Sequence, residues 1–156
     1  MDSYFGAKAS QVKALYPAAN KRQVLAAKSQ FLTDTWFVAG ARNMLQGMDK
    51  VSSPAYQYHF TRKSARTPML GAAHGAEIMF AFGNLVAPQN TEVDRKLSAA
   101  MIQYWVQFAK TGNPDVEGLP AWPQFKTTND QHLELGDKIR VGTNLRKEAI
   151  AVYDSL

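Results

Sequence analysis

The chain has 156 residues, 46% of them hydrophobic, with three Trp, six Tyr and eight Phe, which is enough apolar chain to build the core of one domain. It contains no Cys, which excludes disulfides and thiolate metal sites. The net charge of +5 comes from scattered bases (Lys21 and Arg22, Arg62 to Arg66, Arg95 and Lys96, Arg146 and Lys147). Because the aromatic residues follow core periodicity rather than alternating with these bases, the charge reads as a solvated basic surface and not as a nucleic-acid site.

Taken in chain order, Phe5, Ala9, Val12 and Leu15 share one helical face over 4–15, and Tyr16-Pro17 ends that segment. Val24, Leu25, Phe31 and Leu32 predict a second helix over 21–32. Thr33 or Asp34 is placed to cap a third, running through Trp36, Phe37, Ala41 and Leu45 to Gly47. Residues 55–61 alternate with period two: Tyr56, Tyr58 and Phe60 face one way, Gln57, His59 and Thr61 the other, which predicts a strand. Residues 62–73, with Pro68 and Gly71, read as a loop. The strongest helix covers 92–110, where Val93, Leu97, Ala100, Met101, Tyr104, Trp105 and Phe108 form a continuous stripe behind Thr91 as N-cap, and Thr111-Gly112-Asn113-Pro114 stops it. His132–Leu135 and Lys138–Val141 flank Gly136-Asp137 as a hairpin, and Asn144 is placed to cap a last helix with Leu145, Ala149, Val152 and Tyr153 inside. The pattern predicts an α+β fold, a single domain over 1–156, mostly helical with a small antiparallel three-stranded sheet. No stretch is long and apolar enough for a membrane span, and Met1–Phe5 lacks the pattern of a signal peptide.

The most informative block is Gly71-Ala72-Ala73-His74-Gly75-Ala76-Glu77-Ile78 with Phe82-Gly83, a histidine in a small glycine-flanked turn with a carboxylate three residues on. With Trp105–Pro114, Leu119-Pro120-Ala121-Trp122-Pro123, Thr33–Phe37 and Leu133–Arg146, it resembles the C-terminal part of the type-B carboxylesterases, the cholinesterase-like branch of the α/β-hydrolases, over nearly the whole chain. The resemblance implies ester hydrolysis by a Ser-His-Glu triad, with His74 as the general acid and base. It implies that Glu77, beside Gly75, stands behind the site rather than as the triad acid, and that Asp34 and Arg146 form a buried salt bridge. It implies no cofactor.

Two parts of that machinery have no counterpart in these residues. Gly-x-Ser-x-Gly, the strained turn that carries the nucleophile, is missing, and the first Glu in the chain is Glu77, after the histidine. His59 and His132 lack the spacing of metal ligands, so no metal is expected either. Trp105 and Tyr104 read as core, and Trp122, set between two prolines, as a packing plug. The expectation is therefore a histidine-bearing carboxylesterase part, inactive by itself, that acts on small esters when complemented. The alternative is a non-catalytic interaction or structural module. Either reading predicts a homodimer or a complementary esterase chain as partner, because an aromatic strand at 55–61 would be left with a free edge. Neither predicts nucleic acid or membrane. For the ion pair, Asp34→Ala is expected to destabilise strongly and Asp130→Ala, as an exposed control, not to.

Overall fold

A computed structural model describes residues 2–63, 71–86 and 89–155. The chain divides into two compact units, Met1–Val51 with Asn144–Leu156, and Ser52–Thr143.

In the first unit, the helix expected over 4–15 is broken into α1 (Asp2–Phe5), a 3-10 turn (Gly6–Lys8) and α2 (Ala9–Ala14). The break falls at Gly6, whose φ of +48° lies in the left-handed region that interrupts a helix. Ala9 and Val12 are buried, and α2 closes one turn before Pro17. Next comes α3 (Lys21–Leu32), whose Asn20 side chain accepts from the Gln23 amide at 3.0 Å. The expected break and cap at Thr33 or Asp34 does not occur. The chain continues as a π-helix (Thr33–Val38) into α4 (Ala39–Met48), with the Ala39 amide bonded to the Asp34 carbonyl. The physical cause is local: the Thr33 and Thr35 hydroxyls donate to the Ser29 and Phe31 carbonyls at 2.9 and 2.8 Å, and such back-bonding competes with the amides of the helical ladder. The last helix, α7 (Lys147–Tyr153), is capped by Arg146 at φ +55° rather than by Asn144, which stands two residues earlier in a left-handed turn. α7 packs on the π-helix and on α2, burying Ala149 and Ile150.

The second unit contains β1 (Tyr58–Phe60), α5 (Ala76–Ala81), α6 (Glu92–Thr111), β2 (Gln131–Leu135) and β3 (Ile139–Thr143). Its sheet has the order β1-β2-β3. β2 and β3 form the expected antiparallel hairpin, but β1 runs parallel to β2, with Tyr58 opposite Leu133 and Phe60 opposite Leu135. The sheet is mixed, not wholly antiparallel, because α5 and α6 lie between β1 and β2 in the chain and form the crossover that parallel strands need. Most of the loop expected over 62–73, Pro68 included, lies outside the described residues.

The period-two reading of 55–61 places the aromatic face on α6. Tyr58 meets Trp105 and Trp122, and Phe60 meets Phe80 at 5.2 Å between ring centroids. The core there is Phe80, Leu97, Ala100, Met101, Tyr104, Trp122, Leu133 and Leu135. Full burial of each large apolar side chain contributes about 1.5–3 kcal/mol. Tyr104 is wholly buried, donates to the Pro120 carbonyl at 2.6 Å, and has its phenol pushed up to about 12 by burial. The Trp122 indole donates to the Gln57 carbonyl at 2.9 Å and packs edge-on against Tyr104, so it does act as a plug. α6 opens with a reciprocal capping box between Thr91 and Asp94 and closes at Gly112 with φ +75°.

On the opposite face of the sheet His132 is buried and lies across Gly142 of β3. A Cβ built at Gly142 would stand 2.5 Å from His132 Nε2 and 2.6 Å from its Cε1. Gly142→Ala therefore has to displace a buried imidazole. It is expected to destabilise by about 1–3 kcal/mol in a urea titration, and an unchanged midpoint would show that the ring can swing away freely.

Candidate functional site

His74 sits on a tight turn. The Ala76 amide donates to the Ala73 carbonyl at 3.0 Å, and His74 and Gly75 occupy the centre of that turn. Gly75 has φ +80° and is the residue from which α5 starts. A side chain there would have room, since a built Cβ meets only Ile78 Cδ1 at 3.7 Å, so it is the backbone angle that calls for glycine. The turn leaves His74 exposed at the surface. Glu77 lies in the first turn of α5 and is half-buried. Its charge reaches Tyr58, whose phenol is raised first by burial and then by Glu77. Around the turn, α5 and the residue after it expose apolar surface: Ile78, Met79 and, at 74% exposure, Phe82.

Four serines belong to the unit that carries His74: Ser52, Ser53, Ser64 and Ser98. Ser52 and Ser53 are exposed loop residues, and Ser64 lies outside the described residues. Ser98 is buried, and its hydroxyl donates to the Phe80 carbonyl at 2.7 Å, an arrangement suited to holding a helix and not to nucleophilic attack.

The two ends of the ion pair inferred from sequence do meet. Arg146 Nε stands 2.9 and 3.0 Å from Asp34 Oδ1 and Oδ2, and Nη2 stands 2.6 Å from Oδ2. Asp34 is wholly buried, whereas the Arg146 side chain keeps 35% exposure, so only one partner is enclosed. Sequence reasoning missed the rest of the cluster. Tyr16 donates to Asp34 Oδ2 at 2.8 Å and Gln30 donates to Oδ1 at 2.8 Å. With its only proton given to Asp34, Tyr16 accepts from the Tyr153 hydroxyl at 2.6 Å. The Tyr16 phenol is pushed up by burial first, then by these two partners. No spacing signal marks the five residues as a group, although an acid inside an apolar helix calls for several donors.

His59 and His132 face each other on the polar side of the sheet, ring centroids 6.0 Å apart. Burial lowers both imidazoles from 6.5; in His132 the neighbouring His59 adds to the effect, and Glu134 partly offsets it in both. His132 Nδ1 is buried and has no hydrogen-bond partner among the described residues. A folded-state pKa below the unfolded one means that the unfolded chain binds more protons, so stability is complete above pH 6.5 and falls as the pH drops towards the folded values. Asp94 titrates lower: burial raises it, but hydrogen bonds from Arg62 and Thr91 outweigh that and hold the group at about 2. The thermal midpoint is therefore expected to drop between pH 7 and pH 5, with His132→Gln flattening the slope; an equal slope in that variant would assign it to other groups. Among the described residues, no three His, Asp or Glu side chains gather in a way that would hold a metal ion, and no helix is long and apolar enough to cross a membrane.

His74 thus follows the parallel strand β1 in the chain and stands directly ahead of α5, exposed on a glycine turn. The family model described as "Carboxylesterase family" matches residues 5–153, and the chain belongs to that family. It is 36% identical over 142 residues to cocaine esterase of Homo sapiens, covering 84% of this chain and 25% of that protein. It is 32% identical over 149 residues to carboxylesterase 5A of Canis lupus familiaris, covering 86% of this chain and 26% of that protein. With carboxylesterase 3B of Mus musculus the identity is 32% over 132 residues, or 76% of this chain and 23% of the relative. The chain thus spans about a quarter of the length of the curated relatives it matches. Membership relates it to ester hydrolases and, through them, to the α/β-hydrolases.

Proposed function

We propose that this chain is the histidine-bearing part of a carboxylesterase, in which His74 takes the proton from a serine hydroxyl and returns it to the leaving alcohol. The serine and the triad carboxylate are supplied by residues other than these 156. The observation that carries the reading is His74 itself: exposed, on a turn that needs glycine at position 75, within the segment that matches the family. A second observation favours a complementary partner. The apolar surface beside His74, formed by Ile78, Met79 and Phe82, is of the kind that other protein covers. Among the described residues β1 is also an edge strand, with Gln57 and Thr61 bonded on the β2 side, so that the aromatic positions between them can take a further strand. The substrate class that follows is small carboxylic esters. The same edge serves the non-catalytic alternative, a module that pairs with itself or with another chain.

The test is a chimera in which these 156 residues replace the matching quarter of human cocaine esterase. The chimera is expected to hydrolyse p-nitrophenyl acetate, and the chain alone to leave the ester at its buffer rate. A folded chimera without activity would overturn the catalytic reading and leave the interaction module.

A further inference from the structure

From Lys21 to Met48 the first unit is helical without a break, through α3, the π-helix and α4. Its inner side holds Asp34, Val38 and Leu45, all buried, whereas α3 buries none of its residues. The outer side carries Leu25, Leu32, Trp36 and Met44, exposed at 71%, 41%, 71% and 76%. In a straight α-helix, turning about 100° per residue, Leu25 and Met44 would point roughly 100° apart. The π-helix between them holds more residues in each turn and takes that rotation back. The threonine back-bonds that open it thus lay four large apolar side chains along one face.

Single exposed apolar residues are ordinary, but a line of four with a tryptophan at its centre is surface that another body covers. Gly40 lies on the same line, between Trp36 and Met44, and a Cβ built there meets nothing within 4 Å. A glycine inside a helix costs stability relative to alanine, and no described residue comes close enough to need it. What it permits is the close approach of another backbone. The charge on this face has one sign. Asp34 is the only acid from Lys21 to Met48, and it is buried and taken by Arg146. Lys21 and Lys28 are exposed and flank Leu25 at helical spacing. A second copy of the chain would set these bases against one another, and a lipid surface has no use for a glycine that admits backbone. The relatives matched by this chain are about four times its length, so a large esterase body lies outside these residues.

We propose that the line Leu25, Leu32, Trp36 and Met44 on α3–α4 is the face on which the complementary part of a carboxylesterase seats, through an apolar surface bordered by carboxylates that meet Lys21 and Lys28. The inference rests on the reading of the chain as one part of such an enzyme, but not on the role of His74.

The experiment compares thermal midpoints of the chain alone and of the cocaine esterase chimera, each carrying Leu25→Gln, Trp36→Gln, Met44→Gln or Lys28→Glu, with Glu117→Gln as the exposed control. In the chain alone all five are expected to stay within about 2 °C of the parent, because these side chains already stand in water. In the chimera the three apolar replacements are expected to lower the midpoint by about 3 °C or more, Lys28→Glu to lower it at low salt and less at high salt, and Glu117→Gln to leave it unchanged. Chimera midpoints unmoved by the three apolar replacements would overturn the proposal, as would equal losses in the chain alone. Two further results would also overturn it by assigning the face elsewhere: binding of the chain to phosphatidylserine vesicles, or a dimer of the chain in sedimentation, lost in Trp36→Gln while the chimera midpoints stay put. An inactive chimera whose midpoint falls in these variants keeps the docking face and removes the catalytic reading. An active chimera indifferent to them does the reverse.

Discussion

Asp34→Ala is expected to lower the stability of the chain by about 3 kcal/mol, the low end of the range for removing one partner of a buried ion pair, since only Asp34 of the two is enclosed. For a chain of this length the thermal midpoint should fall by roughly 10 °C, at about 2–4 °C per kcal/mol. The size of the effect follows from what the carboxylate holds. Its two oxygens accept hydrogen bonds from Arg146, Tyr16 and Gln30, with Tyr153 bonded behind Tyr16. Alanine leaves those donors facing a cavity inside the first unit. Arg146 suffers least, because it keeps 35% exposure and can turn to water; Tyr16, at 9%, cannot. Arg146→Ala should cost nearly as much, since it strands a carboxylate that is 0% exposed. The double variant Asp34→Leu with Arg146→Met should recover part of the loss, because the charge and its counter-charge leave together. Asp130 does not serve as the comparison, being half-buried with φ +45°. Glu117, exposed in a loop, does. Equal midpoints for Asp34→Ala and Glu117→Ala would mean that the cluster holds nothing together.

The same aspartate shows where local pattern stops informing. A Thr or Asp ahead of an apolar run has two readings, a helix cap or an acceptor sunk within a longer helix, and both leave the same letters. What separates them is the arrival of Arg146 from 112 positions away and the threonine back-bonds that open the π-turn. By contrast, the span and the central stripe of α6 were legible, although Val93 and Phe108 at the ends of that stripe are exposed. Its stripe, its Thr91 cap and its Gly112 stop are all local features, and the capping box merely adds Asp94. The alternation in 55–61 likewise gave the correct aromatic face, because side-chain direction in an extended segment is fixed by the backbone. It could not give the direction of pairing. Whether β1 runs with or against β2 depends on the crossover through α5 and α6, and no residue of either strand encodes that. The apolar residues of α3 mark a further limit. Leu25 and Leu32 have helical spacing, yet Leu25 is 71% exposed and α3 buries none of its residues. Periodicity identifies a face, and only packing shows whether that face is covered. The histidine turn was readable for a different reason. It depends on a left-handed glycine next to His74, and a glycine needed for its backbone angle is visible in sequence as a glycine.

His74→Ala is expected to cost the chimera on the order of 10⁴-fold or more in kcat, because the nucleophile and its base act as a unit and loss of either removes most of the acceleration. The exposure of the turn makes a sharper test available. His74 stands at the surface of its unit, so deletion of its ring to alanine should leave the core around Phe80, Leu97 and Tyr104 intact and the melting midpoint close to that of the parent. A large kinetic loss with a small stability loss separates a catalytic imidazole from a structural one. Added imidazole should then restore part of the hydrolysis rate in His74→Ala and none in a variant that lacks the serine, since a free base in the vacated space has an effect only where a nucleophile awaits deprotonation. Glu77→Gln supplies the contrast. Glu77 is half-buried, and its charge is felt at Tyr58, behind the turn. Its removal should lower kcat far less than loss of His74, and imidazole should not rescue it. If Glu77→Gln instead matched His74→Ala, the carboxylate behind the turn would be the triad acid, and the chain would carry two of the three catalytic groups rather than one.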